Sequence, residues 1–200
     1  SLDQLAMQGD YERLERVARE DFSHTYQKGS LYYVALAQER LGKIEEAHAS
    51  LRLYVAMAGR QGTSVSAAKL AVLLGNRVAD GALVIEMGLL LEEQKALDEA
   101  TAKELYQALL GAKRTEDAHR IFTTYLQGSL DGLAYAKVLV ESNTSFSLIK
   151  EAFTSLTDEQ AVNLLLFASL LQHDVQRAYD YFSYAATFES KVRDATMKKN

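Results

Sequence analysis

LYYVALAQERLGKIEEAHASLRLYV, residues Leu31–Val55, places two apolar-periodic arms around a single glycine, Gly42. In each arm apolar residues recur three and four positions apart, which is the spacing of one face of an α-helix. The central segment, ERLGKIEEAHASL, also contains paired carboxylates and a histidine. It is therefore either a chemical motif or the bend of a helical hairpin, and the rest of the chain decides between the two.

Pairs of adjacent acidic residues recur along the chain, and the geometry of four of them does not suit catalysis. Neighbouring residues on an α-helix point about 100° apart, whereas an acid/base pair needs two carboxylates that converge on one cleft. Three of the four pairs stand in the first turn of a predicted helix, where free N–H groups and the macrodipole favour negative charge. The pairs therefore indicate helix starts. They are Glu45-Glu46, Glu92-Glu93, Glu116-Asp117 and Asp158-Glu159.

The histidines are not arranged as metal ligands. His48 and His119 each follow an alanine, in EEAHAS and EDAHRI, and their shared register predicts that both face solvent. They lie two repeats apart, on the order of 20 Å in a stacked array, whereas metal ligands bind at about 2 Å. The sequence has no cysteine, HExxH, GxSxG or phosphate-binding glycine loop. We therefore predict no catalytic residue, no metal and no cofactor, in a protein that is not an enzyme.

Composition indicates an all-α chain and argues against two classes of partner. Proline, which breaks helix interiors, is absent from all 200 residues. The net charge is -5 with both signs spread evenly, so no basic stripe is available for nucleic acid. The longest apolar run, Leu164–Leu171, is far shorter than the roughly 20 residues of a membrane span. The bacterial cytoplasm and the periplasm or envelope both stay open as compartments, and so does the oligomeric state.

Internal repeats connect the opening stretch to the rest of the chain. GDYERLERVAR begins at Gly9 and GKIEEAHASLR at Gly42, 33 residues later, and Gly75 ends an apolar run a further 33 residues on. In the better copies a small residue is followed four positions later by a large apolar one, which places both on one helix face. These pairs are Ala47 and Leu51, Ala118 and Phe122, and Ala178 and Phe182.

A period near 34 of helix, glycine-containing turn and second helix resembles the tetratricopeptide repeat. Within Leu31–Val55 the residues that match the family's pattern are Val34, Ala35, Gly42, Ile44, Ala47 and Leu51. The resemblance is clearest over residues 1–58, fair over 98–127 and 158–188, and weak over 62–94 and 129–156. The tryptophan and the proline of the family's repeats are absent, which also fits a broader α-solenoid.

The resemblance implies an all-α fold, a right-handed α-solenoid of about six antiparallel helical hairpins, in a single domain over residues 1–200. Gly81 and Gly88 stand inside one apolar segment, where each glycine costs about 1 kcal/mol, so we expect a kink or a division in that helix. The periodicity predicts twelve helices. They cover residues 2–8, 10–26, 29–41, 43–58, 63–74, 77–93, 98–111, 114–127, 130–141, 145–156, 158–172 and 174–196.

In tetratricopeptide proteins the first helices of the hairpins line a concave groove that binds a peptide of a partner. The resemblance therefore implies a non-catalytic scaffold or adaptor that binds a protein or peptide in such a groove. By register, the expected partner-binding residues, all facing outward, are Tyr32, Leu36, Glu39, Arg40, Lys103, Gln107, Asn163 and Phe167.

The tyrosine-rich C-terminal hairpin offers an alternative function. There the periodicity predicts a core stripe and leaves Tyr181 and Tyr184 beside it. Tyrosine combines a large contact area with a polar tip and is enriched at interfaces. A self-associating structural or assembly protein, in contact through these two tyrosines, is therefore the second hypothesis, and packing at the rim of the core is the structural alternative. The stripe is Ala178, Phe182, Ala185 and Phe188, extended by Val192.

Overall fold

The computed structural model describes residues 1–127, 132–141 and 144–199, apart from the side chains of residues 192, 195 and 199. In this part of the chain all regular secondary structure is helical and no strand is present, so the all-α prediction is confirmed. Twelve α-helices are described, as predicted, although residues 130 and 131 of the ninth predicted helix lie outside the described part. A π-helical segment, Phe122–Leu126, continues the eighth helix. The helices are α1 (Leu2–Gln8), α2 (Tyr11–Thr25), α3 (Lys28–Arg40), α4 (Ile44–Gly62), α5 (Val65–Arg77), α6 (Gly81–Glu93), α7 (Glu99–Gly111), α8 (Thr115–Ile121), α9 (Gly132–Glu141), α10 (Phe146–Phe153), α11 (Asp158–Leu171) and α12 (Val175–Lys199).

The helices belong to two compact units, Ser1–Tyr125 and Leu126–Asn200. In the first unit each helix contacts the next one along the chain. The first helices of successive hairpins also contact each other, α1 with α3, α3 with α5 and α5 with α7. One repeat domain over residues 1–200 stays a prediction.

Each hairpin of the first unit turns through a residue in the left-handed backbone region. In the α3–α4 turn the N–H of Gly42 donates to the carbonyl of Glu39 at 3.0 Å, and the N–H of Lys43 donates to the carbonyl of Gln38 at 2.8 Å. The other three turns repeat this pair of bonds. ERLGKIEEAHASL is thus the bend of a helical hairpin. The left-handed residues are Gly9 (φ 74°), Gly42 (φ 78°), Ala79 (φ 58°) and Lys113 (φ 59°).

Gly75, which continues the 33-residue spacing of the glycines, lies inside α5 and not in a turn. A Cβ atom at this position would lie 2.9 Å from Cγ2 of Val84 and 3.1 Å from the carbonyl oxygen of Asp80. Gly75 therefore allows the start of α6 to approach α5 closely, and Ala79 takes the left-handed position of the third turn.

The pairs of small and large residues form core contacts in the first unit. Ala47 and Leu51 of α4 are fully buried, and so is Ala118 of α8, while Phe122 is almost fully buried. A small residue permits a close helix approach, and the large residue beside it fills the remaining space. The packing role predicted for these two pairs is confirmed.

Ion pairs connect the second helices of consecutive hairpins at a constant separation of 28 residues. Each pair joins one hairpin to the next. Partly buried pairs of this kind are less screened by solvent than exposed ones. The pairs are Lys43 Nζ with Glu15 Oε2 at 3.0 Å, Arg52 Nη2 with Asp80 Oδ2 at 2.7 Å, and Arg120 Nη2 with Glu92 Oε1 at 2.7 Å.

Asp80 has two structural roles in this arrangement. As the N-cap of α6 it accepts the N–H of Leu83 at 3.2 Å, and its other oxygen lies 2.8 Å from Nε2 of His48 and 2.7 Å from Nη2 of Arg52. Burial alone would raise the pKa of Asp80, but its bonds to His48, Leu83 and Arg52 lower it below the ordinary value. The expectation that His48 faces solvent is wrong, because its ring is half-buried against this carboxylate.

Helix α6 is continuous from Gly81 to Glu93, so the predicted kink or division is wrong. Gly88 is buried at a close crossing with α7, where a Cβ atom would lie 2.8 Å from Cδ1 of Leu105. The helix-weakening effect of glycine is therefore offset by packing. A local break does occur in α4, where Gly59 has φ 66° and ψ 175°.

The second unit contains two hairpins, α9 with α10 and α11 with α12, and α11 also contacts α9. Thr157 opens α11 with a capping box, in which its side chain accepts the N–H of Gln160 and the Oε1 atom of Gln160 accepts the N–H of Thr157. An aromatic cluster joins α10 to α12, with the ring of Tyr184 5.7 Å from that of Phe146 and 6.0 Å from that of Phe153.

Replacing Asp80 tests the link between capping and hairpin stacking. We expect Asp80→Ala to lower the free energy of unfolding by about 1–3 kcal/mol, because it removes an N-cap and leaves Arg52 and His48 without their acceptor. Asp10→Ala is the matched control, since Asp10 caps α2 and forms no ion pair among the described residues. Chemical denaturation should show a smaller loss of unfolding free energy for Asp10→Ala than for Asp80→Ala. Equal losses would contradict the role of Asp80 as the acceptor of Arg52 and His48.

The lowered pKa of Asp80 also sets a pH dependence. Because its folded pKa lies below that of an unfolded aspartate, its charge stabilises the fold above about pH 4 and stops doing so as the pH falls through the folded value. Asp80→Asn retains a capping side chain but not the charge. The difference in unfolding free energy between wild type and Asp80→Asn should therefore be largest at neutral pH and shrink below pH 4. Denaturation curves recorded at neutral pH and below pH 4 measure this difference.

Gly88→Ala should destabilise the protein, although alanine favours helices. The gain in propensity is about 1 kcal/mol, whereas overpacking against Leu105 costs about 1–3 kcal/mol. Gly81→Ala in the same helix is the control, because a Cβ atom there meets nothing within 4 Å. Thermal unfolding is expected to show a lower Tm only for Gly88→Ala, and a raised Tm for both variants would contradict the close crossing.

Candidate partner-binding surfaces

The predicted binding face of α3 is packed rather than open. Tyr32 and Leu36 pack against the core of the first unit, and the Tyr32 ring lies 6.3 Å from that of Tyr54. Burial raises the pKa of Tyr32, and a hydrogen bond with Ser66 of α5 partly opposes this. Tyr32 and Leu36 are therefore only partly exposed, and their role in partner binding stays a prediction.

The other two predicted residues of α3 are committed to local contacts. Glu39 is half-buried and lies 3.2 Å from the exposed Arg40, whose guanidinium lies 6.0 Å from the centre of the Tyr11 ring. Of the four predicted residues, Arg40 alone is exposed. The α3 face offers a partner little unoccupied apolar surface.

The predicted residues of α7 are exposed, and one of them borders a groove. Lys103 forms an ion pair with Glu99 at 3.3 Å, one turn away on the same helix. Gln107 lines a groove of about 780 Å³ on the first unit, between the first half of α6 and the end of α7. The structure therefore associates Gln107, but not Lys103, with a concave surface.

The α6–α7 groove has an apolar lining and a polar rim. Much of its lining is glycine and alanine, including Ala82, Ala108 and Gly111, and the large apolar residues are Ile85 and Leu89. Its volume lies within the roughly 300–1,000 Å³ of ligand pockets. The small residues come from the two neighbouring hairpin turns, so the turn geometry itself leaves this space.

Two charged residues, Glu86 and Arg114, belong to the lining of the α6–α7 groove. Glu86 is exposed and forms no ion pair among the described residues. Arg114, also in the lining, lies 2.8 Å from Asp117, which Arg120 contacts as well. The rim therefore presents one available negative charge. The described lining contains no histidine, serine or threonine.

A second apolar surface lies on the α11–α12 hairpin. Phe167 is 54% and Leu170 84% exposed on α11, and Val175 is 85%, Tyr179 64% and Phe182 58% exposed on α12. We call these five residues the hairpin face. Large apolar side chains that are exposed together mark interaction sites, whereas single ones do not. Of this face the sequence identified Phe167; Asn163, the other predicted residue of α11, is exposed one turn before it.

The predicted core stripe of α12 is rotated from the observed one. Tyr181 is fully buried and Ala185 nearly so, whereas Phe182 is exposed. Tyr181 packs 5.6 Å from the Phe146 ring and accepts a hydrogen bond from Arg177 at 3.1 Å. The expectation that Tyr181 lies off the core is therefore wrong.

Tyr184 is also held inside the second unit. It is half-buried in the aromatic cluster, and burial raises its pKa. Neither Tyr181 nor Tyr184 therefore offers a free surface for self-association. The predicted extension of the stripe at Val192 lies outside the described side chains.

No group of three or more metal-binding side chains lies together among the described residues. None of the helices described has the length and apolarity to cross a bilayer.

No family model matches the chain, and no curated protein matches it either. The α6–α7 groove and the hairpin face are therefore the features from which a function can be inferred.

Proposed function

We propose that this protein is a non-catalytic scaffold whose first unit binds a short apolar peptide segment of a protein partner in the α6–α7 groove. The observation that carries the proposal is the groove itself, about 780 Å³ with an apolar floor and with Glu86 on its rim, which forms no ion pair among the described residues. We further propose that the first unit is a tetratricopeptide-like α-solenoid. Contacts between the first helices of successive hairpins and the four similar turns support that arrangement.

The occupant that fits this groove has large apolar side chains and a nearby positive charge. A floor of alanine and glycine leaves space that a partner's side chains can fill, and Ile85 and Leu89 supply apolar contact. Burying two large apolar side chains contributes about 3–6 kcal/mol before the costs of association. A lysine or arginine of the peptide then pairs with Glu86, which fixes its direction and selects against acidic peptides.

Binding is expected to need little rearrangement of the scaffold. The floor is built from helix ends that the turn bonds hold, such as the N–H of Lys113 bonded to the carbonyl of Leu110 at 3.0 Å. A preformed site loses less conformational entropy on binding than a mobile one. We therefore expect a peptide to bind this groove with a dissociation constant on the order of micromolar, although the contact area is small.

Selection from a random peptide library against the whole chain tests the proposal. Selected peptides should combine large apolar residues with lysine or arginine, and Ala82→Trp should abolish their binding because the indole fills the groove. Ala100→Trp is the matched control, since Ala100 is also an exposed alanine in the first turn of a helix but does not line the groove. Fluorescence anisotropy measures both affinities.

The rim charge gives a second readout on the same peptides. Glu86→Lys should weaken peptides that carry lysine or arginine by about tenfold and should favour acidic ones, because it reverses the sign of the rim. Equal binding to wild type, Ala82→Trp and Glu86→Lys would place the peptide elsewhere and contradict the proposal.

Photo-crosslinking connects the groove to a natural partner. A photoreactive amino acid at Gln107 should crosslink a partner in cells, whereas the same group at Lys103, one turn away and outside the groove, should not. A crosslink of equal yield at both positions would show that capture does not depend on the groove.

A further inference from the structure

The exposed side of α12 carries a second apolar stripe that the fold of its own unit does not use. Val175, Tyr179, Phe182 and Ala186 recur at spacings of four, three and four residues and are all exposed. This spacing places them on one side of a helix. The buried Tyr181 and Ala185 belong to the neighbouring stripe that packs inside the unit. Helix α12 is therefore apolar on two sides, and one side has no cover among the described residues of its own unit.

We propose that a second copy of this chain covers the hairpin face, with the α12 helices of the two copies packed antiparallel about a two-fold axis. This is an inference about the second unit and does not rest on the α6–α7 groove. It goes beyond peptide binding, since it assigns the hairpin face a defined occupant.

The charges of α12 favour a second copy over an acidic or basic partner. Between Val175 and Ala186 the charged residues are Arg177 and Asp180 alone. Arg177 donates to the carbonyl of Thr144 and to Tyr181, inside its own unit. Asp180 accepts a bond from Gln176 at 3.0 Å. Two chains of net charge -5 can therefore meet along this stripe without like charges facing each other, and the stripe itself offers no counter-charge to a charged peptide or lipid headgroup.

The stripe is self-complementary in an antiparallel pair. A two-fold contact requires that if one residue meets a second, the second meets the first. An axis midway between Tyr179 and Phe182 satisfies this, because Tyr179 then faces Phe182 of the second copy and Val175 faces Ala186. The two aromatic rings meet at the centre, and the small Ala186 accommodates Val175. Every position of the stripe has a partner in this register.

Residues of α11 extend the same surface. Asn163 of α11 and Glu189 of α12 line one shallow hollow between the helices, so the exposed sides of α11 and α12 adjoin there. Phe167 and Leu170 add apolar area on the α11 side. The hairpin face is therefore wider than a single helix ridge.

The exposed area is sufficient for a specific dimer. An aromatic side chain has roughly 200 Å² of surface, and the three aromatic residues of the hairpin face are each more than half exposed. With its two aliphatic residues the face presents on the order of 600 Å², and burying it on both copies gives about 1,200 Å², the lower end for specific interfaces. Aromatic enrichment with few charges is the composition of interface centres.

Sedimentation of the full chain over a concentration series tests the proposal. We expect the mass to rise from one chain toward two between about 1 and 100 μM. Phe182→Glu should raise the dimer dissociation constant by about tenfold or more, because it buries a carboxylate against an aromatic ring. Met7→Glu is the control, since Met7 is 87% exposed on α1 and its change should leave the dimer intact.

Cysteine pairing tests the register independently, because the wild-type chain has no cysteine. Under oxidation, a mixture of Tyr179→Cys and Phe182→Cys chains should form more disulfide-linked dimer than either variant alone. A chain that stays monomeric across the range, a dimer unaffected by Phe182→Glu, or equal crosslinking of all three samples would overturn the proposal. Monomers that bind phosphatidylcholine vesicles through Phe182 would assign the hairpin face to a lipid surface and would also overturn it.

Discussion

The hairpins of the first unit depend on how each first helix satisfies its last carbonyl groups. A helix end leaves four carbonyls without partners, and two backbone N–H bonds in each turn occupy some of them. This closure requires a left-handed residue, which glycine adopts without strain at Gly9 and Gly42. At Ala79 and Lys113 the same conformation costs roughly 1–2 kcal/mol. The same conformation and the same two bonds recur at Lys95, after α6, so this way of closing a helix end does not depend on glycine.

Closure of the turn also determines where the hairpins meet. The residue after each left-handed position is the N-cap of the second helix, and in the third hairpin that residue is Asp80. Its carboxylate both caps α6 and accepts bonds from Arg52 and His48 of α4. One side chain therefore stabilises the turn of the third hairpin and also its contact with the second hairpin. The α6–α7 groove follows from the same geometry, since glycine and alanine at adjacent turns leave space that larger residues would fill.

The sequence predicts the helices and the first turns well because these depend on local signals. Apolar periodicity identifies the helices, and Gly42, Ala47 and Leu51 have the turn and packing positions expected of them. The third turn is not predicted because its left-handed residue, Ala79, is not a glycine. Gly75 and Gly88 lie at helix crossings, which depend on residues distant in the sequence. The α6–α7 groove is not predicted either, because its lining comes from two hairpins that are distant in the sequence.

The error on α12 has a different cause. Periodicity finds an apolar stripe but cannot choose between two, and this helix has one through Tyr181 and Ala185 and another through Tyr179 and Phe182. The stripe through Tyr181 can be the buried one because the tyrosine hydroxyl accepts a bond from Arg177 at 3.1 Å. A helix that is apolar on two sides needs cover on both. The two apolar stripes that make the sequence prediction ambiguous are thus the physical reason to expect a partner on α12. The lack of charge on the exposed stripe favours a second copy of the chain as that partner.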